Sequence, residues 1–124
     1  AVLRALKQGG VTGILPDQLP GKDGGAAYVP FFGQVTPTMT LIPNLLRRGN
    51  IVAIAGFAKR LENDQFKIIF QPAPDAIYDA DETIATTALN QSVEQLVALA
   101  PEQYQWEYKR FRRGDQREKR RIYH

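Results

Sequence analysis

An aspartate and a glutamine, Asp17 and Gln18, stand directly behind an apolar run in "GILPDQLPGKDGG" (Gly13 to Gly25). A carboxylate there can orient a hydroxyl or a basic neighbour, and an amide both donates and accepts hydrogen bonds. The chain then turns through Pro20, Gly21, Gly24 and Gly25. Two readings are open. Asp17 caps the turn through its own backbone, or the pair lines a site at the tip of a strand.

Several other chemistries are excluded by residue type. His124 is the single histidine and the last residue, where a side chain is poorly held and cannot serve as an oriented general base. Ser92 is the single serine and falls inside a helical pattern, so no Ser-His-Asp set can be assembled. Without cysteine or clustered histidine, zinc sites have no ligands. "GKDGG" has neither the glycine spacing nor the Lys-Ser/Thr pair of a phosphate-cradling loop. Asp75, Asp79 and Asp81 straddle a helix start, where capping accounts for them without a cation. No cofactor and no metal are expected.

The elements that must position Asp17 and Gln18 follow from periodicity. Val2, Leu3, Ala5 and Leu6 share one face of a short helix that Gly9-Gly10 should stop. Val11–Leu15 reads as a buried strand, and residues 16–36 as a long Gly/Pro-rich loop carrying "YVPFFG" (Tyr28 to Gly33). Thr36 with Pro37 suggests a helix start, followed by a stripe of Met39, Ile42, Leu45 and Leu46. Pro43 should kink that helix or delay it. Ile51–Leu61 is apolar on both faces and reads as a central strand. "ENDQ" then turns into a second strand, Phe66–Phe70, whose wetter face carries Lys67 and Gln71. Asp81 should cap the longest helix, 82–100, with Ala85, Ala88, Leu89, Val93, Leu96, Val97 and Ala100 along its buried stripe. "PEQYQWEYKRF" is expected to begin as a short helical piece. The fold class is therefore α/β, a small mixed sheet with packed helices.

With 124 residues, 44% of them hydrophobic, the chain can form one domain with one core. The longest apolar run, Ile51–Ala58, is far short of the roughly 20 residues of a spanning helix. The first residue is not Met, and the opening "AVLRALKQGG" starts as if inside an amphipathic helix, which suggests a portion of something longer. Charge is unevenly placed. Eight of the 16 Lys and Arg residues, but only two of the 13 Asp and Glu residues, lie between Lys109 and Arg121. Residues 1–108 thus read as a mildly acidic body and 109–124 as a basic tail, either solvated or directed at phosphate.

Four segments, "GILPDQLPGKDGG", "VPFFGQVTPTMT", "AKRLENDQFKIIFQP" and "PEQYQWEYKRFRR", resemble in order and spacing the bacterial lipid A biosynthesis acyltransferases. These are the late lauroyl- or myristoyl-type enzymes of the lysophospholipid acyltransferase superfamily. The resemblance runs across nearly all of residues 1–113. It implies the C-terminal half of a glycerolphosphate-acyltransferase-like α/β fold. The family's catalytic His, followed four residues later by a carboxylate, is absent, as is the membrane-anchoring helix before it. The implied enzyme moves an acyl chain from acyl carrier protein to a hydroxyl of a lipid A precursor, at the cytoplasmic face of the inner membrane. The chain alone is expected to be inactive and able to self-associate through surface left uncovered.

In this resemblance "LPDQ" sits where the superfamily has a carboxylate at a strand tip beside the active centre. Asp17 and Gln18 are therefore assigned to the site wall, with turn capping by Asp17 as the alternative. Lys22 and Arg60 are candidate phosphate contacts, or else solvated. Tyr28, Phe31 and Phe32 are candidate acyl-pocket residues, or else packing. Trp106, Lys109, Arg110, Arg112 and Arg113 are candidate contacts to an anionic membrane surface, with Trp106 alternatively capping the core. The rival class is a non-enzymatic domain that binds anionic lipid or nucleic acid through the tail; under the leading reading no nucleic acid partner is expected.

Overall fold

The computed structural model describes residues 1–111. Helix α1 (Val2–Lys7) ends where anticipated. Gly9 takes a left-handed φ of +83°, and the Gly10 N–H reaches back to the Ala5 carbonyl at 2.9 Å. The next segment departs from expectation. Val11–Leu15 is not a buried strand: it pairs with no strand among the described residues, and Val11 and Leu15 are 96% and 67% exposed. An extended segment becomes a strand only when a neighbour takes up its backbone groups.

The expected long loop and the start of the expected helix form a hairpin instead. Strands β1 (Ala26–Phe31) and β2 (Gln34–Met39) pair antiparallel, with Phe31 opposite Gln34. Phe32 and Gly33 both have positive φ, +48° and +75°, the two-residue turn whose twist suits a hairpin. Pro30 and Pro37 argue against strands in a sequence, yet each can occupy one member of an isolated two-stranded ribbon. Helix α2 (Leu41–Arg47) accordingly starts after Thr40, not at Thr36. Pro43 is its third residue, where the missing N–H has no intrahelical acceptor in any case.

Strands β3 (Ile54–Arg60) and β4 (Phe66–Pro72) form the expected hairpin, closed by a Leu61 N–H to Gln65 carbonyl bond of 2.7 Å. Two details differ. Strand β3 pairs with β4 alone among the described residues and is not central. The face carrying Phe66, Ile68 and Phe70 is the exposed one, at 63%, 57% and 72%, although its composition is apolar. After a 3₁₀ turn (Asp75–Tyr78), α3 (Glu82–Leu99) starts at Asp81, whose Oδ1 accepts from the Ile84 N–H at 3.0 Å. The mixed α/β class is the observed one, its sheet component being two antiparallel hairpins.

Helix α3 unites two halves of the core. Ala88 and Leu89 pack with Leu46, Ala73 and Ile77, while Val93 and Val97 pack with Phe31, Tyr104 and Phe111. Beneath the second group lies a buried polar centre. Arg110, placed by sequence in the basic tail as a membrane contact, is 2% exposed. Its guanidinium donates to Thr36 Oγ1 (2.9 Å), the Pro37 carbonyl (2.7 Å) and Thr38 Oγ1 (2.9 Å), and lies 5.3 Å from the Phe31 ring centroid. The Thr36 hydroxyl returns a bond to the Arg110 carbonyl at 2.8 Å. The membrane assignment of Arg110 is thereby corrected, since a side chain enclosed by β2 cannot reach a surface. Phe111 stacks on Phe31 at 5.9 Å, so the body runs past residue 108. Arg112, Arg113 and the rest of the proposed tail lie outside the described residues.

Replacing this guanidinium strands several buried acceptors and leaves a void. We expect Arg110→Met to lower unfolding free energy by about 2–4 kcal/mol. Arg110→Lys should recover little of it, because one ammonium cannot serve both arms of the fork. Chemical denaturation checks this. A Lys variant as stable as the parent would mean that the charge, and not the fork, is what β2 holds.

Candidate functional site

Asp17 is partly buried in the turn after Leu15 and faces a groove of about 310 Å³. The groove is walled by Leu15 and Pro16, by Phe57 and Ala58 of β3, and by Leu96 and Val97 of α3 with Ala100 just past its end. Its polar rim is Asp17 together with Gln103, Tyr104 and Gln105. An apolar trough with polar groups gathered at one end suits a ligand that is itself apolar with a polar end.

The rim residues come from a stretch with little regular structure, which side-chain bonds hold in place. The Gln103 amide pairs with the backbone of Arg60 in both directions: Oε1 accepts from the Arg60 N–H at 2.7 Å and Nε2 donates to the Arg60 carbonyl at 2.9 Å. Trp106 Nε1 donates to the Pro101 carbonyl at 2.8 Å and closes the turn that presents Tyr104. The Tyr104 ring meets Trp106 edge-on at 4.8 Å and Phe31 at 6.5 Å. Tyr104 and Asp17 stand together on the groove rim. Four residues further on, the Tyr108 hydroxyl accepts from the Leu19 N–H at 2.9 Å. The Asp17 turn is thereby tethered through its backbone to the segment that presents Tyr104.

This setting pushes the Tyr104 phenol up from 10.0 to about 12. Burial disfavours the phenolate most, and the Asp17 negative charge adds to it, against a smaller opposing pull from Arg110.

Comparison with known proteins places the chain in a family. Residues 1–113 match the family model described as bacterial lipid A biosynthesis acyltransferase. The chain belongs to that family. It is 27% identical over 113 residues to the lipid A biosynthesis palmitoleoyltransferase of Escherichia coli (strain K12), covering 90% of this chain and 36% of that protein. It is 30% identical over 114 residues to the lipid A biosynthesis lauroyltransferase of the same organism, covering 90% and 37%. A lipid A biosynthesis acyltransferase of Shigella flexneri is 27% identical over 113 residues. The chain thus spans little more than a third of the length of these relatives.

The other residues singled out by sequence fall in different places from this groove. Gln18 and Lys22 are exposed and do not line it. Arg60 lies across the Gln103–Gln105 segment, in an open recess that also holds Glu102 and Glu107, so an anion arriving there meets both signs of charge. The acyl-pocket candidates do not line the groove either. Phe31 is 1% exposed and fills the core, Tyr28 is 55% exposed, and Phe32 stands in the hairpin turn with its N–H on Glu94 Oε1. Trp106 is half-exposed against Phe32 and Tyr104, and Lys109 is exposed. Gln103, Tyr104 and Tyr108 are not among the residues singled out by sequence. The i, i+4 spacing of the two tyrosines was the available signal. No helix among the described residues is long and apolar enough to cross a membrane.

The phenol yields a direct check. Its ionisation in the folded state is raised, so the stability this adds is fully present below pH 10 and is lost as pH rises through about 12. Titration of the tyrosine Cζ carbons by NMR should show one late-ionising ring, absent from Tyr104→Phe. Asp17→Asn should bring that ring back toward the ordinary range, because it removes the charge and keeps the turn. An unmoved late resonance would place the carboxylate away from Tyr104.

Proposed function

We propose that the complete protein is an acyltransferase of lipid A biosynthesis, moving a fatty acyl chain from acyl carrier protein to a hydroxyl of a lipid A precursor at the cytoplasmic face of the inner membrane. This chain supplies its C-terminal part and the wall of the site that carries Asp17. The observation that carries this reading is the meeting of two family-specific stretches: Asp17 of "LPDQ" and Tyr104 of "PEQYQWEY" line the polar end of one apolar groove, and the Leu19 N–H is bonded to the Tyr108 hydroxyl beside it. The names of the relatives, lauroyl- and palmitoleoyltransferase among them, supply the reaction class.

The chemistry asks for a base. A hydroxyl ionises far above neutral pH and attacks only as its proton leaves. In the proposed reaction a His-carboxylate pair in another part of the complete protein takes the hydroxyl proton. The oxygen bonds to the thioester carbonyl carbon, the carbon–sulfur bond breaks, and the carrier's thiol departs with a proton. Asp17 orients the acceptor or the basic partner. The groove of Leu15, Phe57, Ala58 and Leu96 offers apolar surface beside it. No histidine among these 124 residues is followed four residues later by a carboxylate, so in this reading the pair comes from elsewhere in the complete protein.

Two outcomes follow. The chain by itself, given acyl carrier protein-bound laurate and a lipid A precursor, should yield no acylated product, while the complete protein should. In the complete protein, Asp17→Asn should slow turnover by about 10²-fold or more with the fold retained, since removal of a group acting in the transition state costs several kcal/mol. Mass spectrometry of the lipid product reads both. Turnover by the isolated chain would mean that the base is among these 124 residues.

A further inference from the structure

We propose that the outward face of the β3–β4 hairpin, together with the unpaired Val11–Leu15 segment beside it, is an internal interface, covered in the complete protein by an apolar layer from outside these 124 residues. The inference rests on the family and on length, and is independent of the role given to Asp17.

Strand β3 is apolar on both faces, and a strand of that kind is stable where both faces are covered. One face has its cover: Phe57 shares the groove with Leu96 and Val97 of α3. The other is bare. The register sets Ile54, Gly56, Ala58 and Arg60 opposite Pro72, Phe70, Ile68 and Phe66, and alternation along each strand puts these residues on one side. Ile54, Phe66, Ile68 and Phe70 are each more than half exposed. Gly56 shapes the middle of this face. A Cβ there would meet the Phe70 ring at 2.7 Å, so the missing side chain is what lets the ring lie against the sheet. Apolar surface gathered in this way marks a contact region.

The Val11–Leu15 segment extends the same surface. Thr12 and Ile14 share a cavity of about 140 Å³ with Val52, Ala53 and Ile54, and Leu15 and Pro16 share the Asp17 groove with Gly56, Phe57 and Ala58. The segment therefore runs alongside β3 in the same direction, yet it pairs with no strand among the described residues and its Val11 and Leu15 are exposed.

The surroundings select the occupant. Glu62 and Asp64 stand in the turn at the tip of the hairpin, and a hairpin entering lipid would have to bury them. Lys59, Arg60 and Lys67 near the same end make the border mixed in sign, which gives an anionic membrane no electrostatic preference. A second copy could present an equal apolar face. However, this chain covers only 36% and 37% of its palmitoleoyl- and lauroyltransferase relatives, so the larger part of a protein of that length is on the same polypeptide. Cover from the same polypeptide acts at a high effective concentration, which a separate copy cannot match.

Photo-crosslinking in the complete protein tests this. p-Benzoylphenylalanine in place of Phe66 keeps an aromatic ring at an exposed position of the hairpin. After irradiation, peptide mass spectrometry should find the crosslink within one polypeptide, to a peptide outside these 124 residues. A crosslink to a second copy, to lipid, or only to peptides of this chain would overturn the proposal, as would the absence of any crosslink. A second variant reads the same interface by stability. Ile68→Lys buries a charge if the face is covered, and should lower the Tm of the complete protein by about 4 °C or more. An unchanged Tm would leave Ile68 in water and overturn the proposal as well.

Discussion

A guanidinium enclosed by a β-hairpin sets the terms for this molecule. Taking a charge out of water costs several kcal/mol unless hydrogen bonds replace the lost hydration. Strand β2 supplies them with two threonine hydroxyls and one carbonyl, all held by Arg110. The arrangement leaves little slack. The Thr38 hydroxyl accepts from both Arg110 and Asn90 of α3, at 2.9 Å each, and donates to the Thr36 carbonyl at 3.3 Å, so its capacity is used. Asn90 in turn donates to the Pro30 carbonyl of β1 at 3.0 Å. One polar network therefore ties both strands of the hairpin, the long helix and the 101–111 segment to one another. The aromatic packing of Phe31 with Phe111 and Tyr104 covers it.

From that network the site follows by short steps. Arg110 and Phe111 hold the end of the irregular segment, and the Gln103 amide holds its beginning to β3. Between these anchors Tyr104 and Tyr108 have nowhere to go except toward the Asp17 turn. The turn has glycines and prolines where rigid structure would need strand or helix formers, and is tethered from outside by the Tyr108 hydroxyl. A flexible stretch is thereby fixed by a distant one, which is a common way to place a reactive group without building it into a strand.

What the sequence revealed divides along the same line. The α3 cap at Asp81, the 3.6-residue stripe beneath it and the β3–β4 hairpin were legible because local pattern and final structure agree. The β1–β2 hairpin was not legible. Two prolines and a Phe-Gly turn contradict local strand signals, and the pair is stabilised from outside by Arg110 and Asn90. Arg110 itself was unreadable as a core residue because it stands within a basic run. Its companions were the missing clue: two threonines on one face of a strand and a phenylalanine next to the arginine. Val11–Leu15 has the composition of a buried strand, and Phe66, Ile68 and Phe70 that of a buried face, yet both are exposed here. The family match, by contrast, was accessible from motif order, while the groove beside Asp17 was not, because its walls come from three separate elements.

The central claim is that the Asp17 turn and the 101–111 segment behave as one rigid unit. Hydrogen exchange of the Leu19 amide reports on it directly, since that N–H has the Tyr108 hydroxyl as acceptor and no regular secondary structure around it. The account predicts protection comparable to the paired amides of β1 and β2, lost in Arg110→Met along with theirs. Exchange of Leu19 at the rate of an unstructured loop in the parent chain, with β1 and β2 protected, would contradict it.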